Sequence, residues 1–231
     1  MQYPTTLHAD TYRRLKAMIV GQELPRGSKL VLRNLAKQLG TSTMPVLEAI
    51  RRLEHDGLVT QIPKWGAFVK EWTEHEQMEA LHIRRALEGE AARLFVTRAT
   101  PEQKDQLVLL NTAFDEAAAQ DVLAGLDADV GLHLHIARST EFSRLTQLIE
   151  VANLPLTMIM KTSQAGRAMT LNQVGCHTRL VRALLNKDPD LACHAMWEHV
   201  DGTMGLVSEE LANGDLSLSA SYGRQAEIVA H

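Results

Sequence analysis

At 231 residues, with 45% apolar and 23% charged side chains, the chain can bury an ordinary core and form one large or two small domains. No apolar run approaches the ~18–20 residues that span a bilayer, and the N-terminus lacks the basic start and apolar centre of a signal peptide, so membrane and secreted classes are set aside and a cytoplasmic location is expected. The net charge of −4 hides an asymmetry: residues 1–72 carry 11 Lys/Arg against 6 Asp/Glu, a balance of +5, and the rest carry 13 against 22, a balance of −9. This division predicts two domains with different partners, the first suited to a polyanion.

Tyr12, Leu15, Met18 and Ile19 repeat at a helical period and Gly21 supplies a stop. Pro25 and Gly27 then enforce a turn. Leu30, Leu32, Leu35, Ala36 and Leu39 predict a second short helix ending at Gly40. Thr41 or Ser42 caps a third, running through Val46, Ala49, Ile50 and Leu53 and closed by Gly57. Two short apolar runs, 58–62 and 67–69, flank the turn-like Pro63-Lys64-Trp65-Gly66 and predict a β-hairpin. Three helices and a hairpin in this order outline a winged helix-turn-helix, in which the third helix enters the DNA major groove with its N-terminal residues toward base edges.

The residues themselves resemble the DNA-binding domain of GntR-type transcription regulators. The similarity runs through Gly21, Leu24, Gly27 and Leu30, the Leu35 to Gly40 segment, Ser42 to Ala49, Leu53 to Val59 and the wing glycine Gly66. It implies a double-stranded DNA operator as partner, contacted through Arg33, Ser42, Thr43, Arg51, Arg52 and Lys64. For Ser42 and Thr43 helix capping is the alternative role, and for Arg51 and Arg52 solvated charge. The family usually carries arginines where this chain has Thr43 and Leu47, and often a basic residue at the position of Trp65. An arginine can grip a guanine edge with two hydrogen bonds, whereas Leu47 can only pack on a thymine methyl or join the core. An altered base preference is therefore expected.

Beyond residue 72 the strand signals vanish. Helices are expected at 74–98, 101–120, 122–139, 142–166, 170–187 and 188–213, with Pro101 and Pro189 at two starts. The expected fold is thus mainly α: a winged helix-turn-helix over 1–72, an antiparallel six-helix bundle over 73–213 and a flexible tail over 214–231. Asp129 and His133, four residues apart, share one helix face and can hold one metal ion. His177 and His199 each lie about 11 residues from the Lys187–Pro189 turn on antiparallel helices, at similar depth. The four would complete a site of one carboxylate and three imidazoles in the bundle core. His135 points roughly 200° away from His133, and His194 about 140° away from His199, so neither is expected to join them. Asp127 is off-face too. Cys176 and Cys193 read as small core residues rather than a disulfide framework.

This second half resembles the FCD effector domain of the FadR subgroup of GntR regulators, and the count of six helices resembles its VanR-like members. The likeness rests on Ile83 to Leu94, on Asp129, His133, Ile136 and Ala137, on His177, Leu180 and Ala183, and on Asp188, Ala192, Met196 and His199. It implies that Asp129, His133, His177 and His199 ligate a divalent metal, with an open position for a carboxylate effector. Imidazole and carboxylate donors suit Zn, Ni, Mn or Fe without choosing among them. Arg84 matches a family arginine that could pair with the effector, or it forms a helix salt bridge with Glu88. Phe142 stands where the family commonly has asparagine. The resulting expectation is a homodimeric repressor released by a small organic acid. The alternative is a metal-dependent enzyme or small-molecule binding protein with a degenerate winged domain.

Overall fold

The computed structural model describes residues 7–162 and 175–213. The expected tail at 214–231, and the parts of two expected bundle helices that fall within 163–174, lie outside the described residues. The chain divides into two compact units, the first ending at Trp72 and the second beginning at Thr73.

In the first unit, α1 (Leu7–Val20), α2 (Leu32–Leu39) and α3 (Thr43–His55) pack around Leu15, Ile19, Leu35, Val46, Ile50 and Leu53. Gly40 ends α2 in the left-handed region at φ 66°, and its neighbour Thr41 donates back to Ala36. A side chain with Cβ is disfavoured there, and this turn sets the angle between α2 and α3. A three-stranded antiparallel sheet follows the order β1 (Lys29–Leu30), β3 (Gly66–Val69), β2 (Val59–Ile62). Leu30, expected in the second helix, instead pairs with Ala67 in β1. The apolar period is satisfied either way, because Leu30 is buried in the same core; a two-residue strand leaves no periodicity of its own to read.

In the second unit, α4 (Glu74–Arg98), α5 (Pro101–Gln120), α6 (Val122–Ser139), α7 (Ser143–Thr162), α8 (His177–Leu184) and α9 (Pro189–Asn213) form a helical bundle. Capping fixes where three of them start. The Thr73 hydroxyl accepts from the Glu76 amide while Glu76 receives the Thr73 amide, a reciprocal box that Thr100 and Gln103 repeat for α5. The Asp121 carboxylate accepts from the amides of Leu123 and Ala124 at the head of α6. These starts set the phase of the helices and hence which residues face inward.

Helix α4 is the central element, packing against α6, α7, α8 and α9, while α5 lies over α6 and α8. Gly89 lets α4 and α9 approach: a Cβ there would lie 2.2 Å from Trp197 Nε1. Two apolar clusters fill the bundle. One contains Phe95, Leu132, Ile136, Ile149, Leu180 and Val200, the other Leu81, Leu126, Leu156, Met160 and Val207, and Met204 packs against both. Between these layers lies a polar one. Among the described residues no helix is long and apolar enough to cross a membrane.

Candidate functional site

The polar layer takes Arg84 and Glu88 from α4, Asp129 and His133 from α6, Asn153 from α7, His177 from α8 and His199 from α9. Five of these residues are almost completely shielded: Arg84, Glu88, His133, Asn153 and His177. One ligand atom each from Asp129, His133, His177 and His199 lies within 4.8 Å of the other three. His177 Nε2 is 3.0 Å and His133 Nε2 3.6 Å from Asp129 Oδ1, and the Nε2 atoms of His133 and His199 are 3.1 Å apart. Donors bound to one ion at ~2.0–2.2 Å lie up to about 4.3 Å apart, so slight side-chain adjustment closes this set on a metal. His177 Nε2 is also buried without a hydrogen-bond partner, pointed at the same small space. The residues fit a divalent ion.

Charge within the cluster follows from its surroundings. Burial raises the Asp129 carboxyl, but the neighbouring His133 and His177 outweigh it and hold that group well below the usual carboxylate range. Burial first, and then the adjoining His133 and His177, push His199 well below the ordinary histidine value. Both shifts favour the forms that bind metal: a carboxylate and a neutral imidazole. Beside them, burial pushes the Cys176 thiol up to about 12, aided by Asp129. This thiol stays protonated, with its Sγ 3.5 Å from His177 Nδ1. The edge-to-face ring of Phe114, 4.4 Å away, further confines His177.

Arg84 forms the helix salt bridge with Glu88 that was one of its two expected roles. Its Nε donates to Glu88 Oε1 at 2.8 Å, while Nη2 lies 3.2 Å from His133 Nε2, at the border of the ligand cluster. Sequence reasoning missed the weight of Glu88 and Asn153. Glu88 Oε2 lies 2.8 Å from His133 Nδ1, close but off the line of the N–H, and Asn153 Nδ2 donates to Glu88 Oε1 at 2.8 Å. The only clue was the i, i+4 spacing of Arg84 and Glu88, which on most helices marks an exposed pair.

Three rejected neighbours point elsewhere. His135 Nε2 faces the Gln103 carbonyl, His194 Nδ1 faces the Asp190 carbonyl and Asp127 pairs with Lys161. Phe142 lies in the α6–α7 connection with the Arg98 guanidinium 4.6 Å from its ring centre. Cys193 is buried and Cys176 half-buried.

In the first unit, Arg33, Ser42, Thr43, Arg51, Arg52 and Lys64 are all exposed. Ser42 occupies the N-cap position of α3, but its side chain makes no capping bond. Lys64 adopts φ 68° in the β2–β3 turn. Arg52 leans back, its guanidinium 4.0 Å from the centre of the Tyr12 ring, whereas Arg51 stays on the open face of α3. Leu47 is half-buried, and Met44 and Trp65 are 58% and 46% exposed. The N-terminal end of α3 and the β2–β3 turn thus present apolar surface among cations.

Comparison with known proteins agrees with this architecture. Residues 7–69 match the gntR family of bacterial regulatory proteins, and residues 79–202 match the FCD domain. The chain is 28% identical to a probable D-xylose utilization operon transcriptional repressor of Paenarthrobacter nicotinovorans, covering 94% of this chain and 96% of that one. It is 24% identical to the Exu regulon transcriptional regulator of Escherichia coli (strain K12), covering 90% and 85%. Its fold is similar to that of E. coli McbR/YncC, with a TM-score of 0.77 at 24% identity over 89% of this chain and 99% of that one. A putative GntR transcriptional regulator from Rhodococcus sp. RHA1 gives a TM-score of 0.75 at 17% identity, covering 87% and 97%. These families and relatives are transcription regulators, not enzymes, which removes support from the metal-dependent enzyme with a degenerate winged domain.

Proposed function

Because the chain belongs to the GntR family of bacterial regulatory proteins, with an FCD domain behind its winged helix-turn-helix, it is a DNA-binding transcription regulator, and we propose that a small carboxylate bound at a metal centre controls it. The observation that carries this reading is the convergence of Asp129, His133, His177 and His199, with the Arg84 guanidinium at their edge. Asp129 and the three imidazoles would hold the ion. When bound, it would supply a concentrated positive charge able to accept a carboxylate oxygen. Arg84 would orient that carboxylate by a charge-assisted hydrogen bond, and the two apolar clusters exclude competing water from the layer between them.

On the DNA side, Arg33, Arg51 and Lys64 would neutralise phosphates and place the reading surface, with Arg52 adding charge from its position over Tyr12. Ser42, Thr43, Met44 and Leu47 would face the bases. Lacking the usual arginines, this surface favours contact with thymine methyl groups over the guanine edge. The regulator acts as a homodimeric repressor on a two-fold operator, a reading supported by the word repressor in the name of one relative.

Elemental analysis and thermal melts of the full chain test the metal centre. The wild type is expected to retain one equivalent of divalent metal, and His133→Ala and His199→Ala to lose it together with the stabilisation it gives, about 2.7 kcal/mol at a hundredfold excess over Kd. Full occupancy in both variants would overturn the ligand assignment. A panel of carboxylic acids added to the metal-loaded wild type should then raise the melting temperature selectively, and Arg84→Met should blunt that response.

A further inference from the structure

Glu88 has more to do in this structure than a helix salt bridge requires. Its carboxylate is 1% exposed, on the central helix of the bundle, and its two oxygens face side chains of two other helices. Oε1 accepts from Arg84 Nε and from Asn153 Nδ2, each at 2.8 Å, while Oε2 faces His133 Nδ1 at 2.8 Å. Asn153 is itself oriented by its second N–H, donated to the Ile149 carbonyl at 3.0 Å. A buried ion pair contributes little net stability, because desolvating two charges cancels most of their attraction. Arg84 and Glu88 on one helix would be replaced by apolar side chains at little cost if packing were their only role.

We propose that Glu88 is a positioning residue for the candidate metal and effector centre, presenting His133 with its proton on Nδ1 and its Nε2 bare, and aiming Arg84 at the same point. The inference rests on the metal reading above and adds the group that organises it. An imidazole binds a metal only through an unprotonated nitrogen, and the partner of its other nitrogen selects which one that is. Glu88 Oε2 is 2.8 Å from Nδ1, near enough to draw the proton to that nitrogen with a slight turn of the ring, and Nε2 is left to face Asp129 and His199. The same carboxylate holds the Arg84 Nε edge, which turns Nη2 to within 3.2 Å of His133 Nε2. Metal affinity and effector affinity therefore depend on one side chain that touches neither ligand. Asn153 extends this dependence to α7.

The test uses full-length protein and Zn2+ as the probe. Long-range 1H–15N correlation spectra of the metal-stripped wild type should show His133 protonated at Nδ1; a proton on Nε2 would overturn the proposal without any variant. Glu88→Gln keeps the shape but can turn an amide N–H toward Nδ1, so the His133 proton should move to Nε2. Chelator competition should then show Zn2+ binding weakened about 10- to 100-fold at unchanged stoichiometry. Asn153→Leu leaves the carboxylate in place and should weaken binding less. If Glu88→Gln does not fold, Arg84→Gln combined with Glu88→Gln leaves no unpaired buried charge and is read in the same two ways. A folded variant with the wild-type tautomer and Zn2+ affinity within twofold of wild type sinks the positioning role. Wild-type protein that binds no Zn2+ while His133 keeps its proton on Nδ1 sinks the metal reading instead.

Discussion

Three imidazoles and two carboxylates packed among leucines make this bundle sensitive to acid at the level of single residues. His199 titrates well below its ordinary value of 6.5, so its neutral form stabilises the fold above that value, and this contribution drains away as pH falls beneath it. Glu88 carries the same sign in a lower window. Burial raises its carboxyl, yet the adjacent Arg84 and His133 outweigh burial and hold it well below the ordinary 4.5, so its contribution persists until the medium is more acidic still. Thermal melts by circular dichroism should therefore show two declines, one beginning below about pH 6.5 and one below about pH 4.5. Saturating Zn2+ should delay the first, because protons and metal compete for the same imidazole nitrogens. A melting temperature flat from neutrality to pH 4 would contradict the burial described for His199.

At the scale of elements, the site depends on how closely α4 and α9 can pack. Gly89→Ala would set a Cβ 2.2 Å from the Trp197 indole, whose ring lies under the Arg85 guanidinium at 4.5 Å. Alanine favours the helix by ~1 kcal/mol, but overpacking of this kind costs ~1–3 kcal/mol, and the indole has a cation over one face. A net loss of a few degrees in melting temperature is expected, with weaker metal binding because His199 is carried on α9; a variant at least as stable as wild type would show that the indole swings clear. The expected starts at 74, 101 and 122 agree with the structure, where Thr73, Thr100 and Asp121 cap them, since capping is local chemistry written within three residues. Pro155 falls inside α7, as it does inside the helix expected over 142–166, and because it lacks an N–H it leaves the Val151 carbonyl without its usual helical donor. The two-residue β1 escaped because its partner, β3, is 37 residues away, and nothing within the segment announces it.

For the whole molecule, regulation requires that ligand binding in the second unit change DNA binding by the first. Selection from random DNA should yield a discrete two-fold site whose affinity falls steeply with salt, as counterion release demands. A carboxylate found in the thermal screen should then alter affinity for that site by about 5- to 150-fold, the usual range of coupling between two sites. The effect should disappear in His177→Ala. An effector that binds tightly but leaves operator affinity unchanged would show that it does not distinguish the two functional states.

The sequence by itself determined the longer helices and the β2–β3 hairpin, the two-part organisation of charge and the four metal-site candidates. The helices and hairpin rest on periodicity and turn chemistry that operate within a few residues, and the metal candidates on helix spacing and a family resemblance. Only the tertiary structure decided that Arg84 and Glu88 are buried rather than solvated, and that Asn153 belongs to the same network. It also showed that Arg52 turns to Tyr12 while Arg51 stays open. The reason is physical: an i, i+4 ion pair looks identical on a surface and in a core, and which it becomes depends on the helices that close over it. Here α6, α7, α8 and α9 all pack against α4, and that enclosure turns an ordinary-looking helical salt bridge into a buried neighbour of the candidate metal cluster.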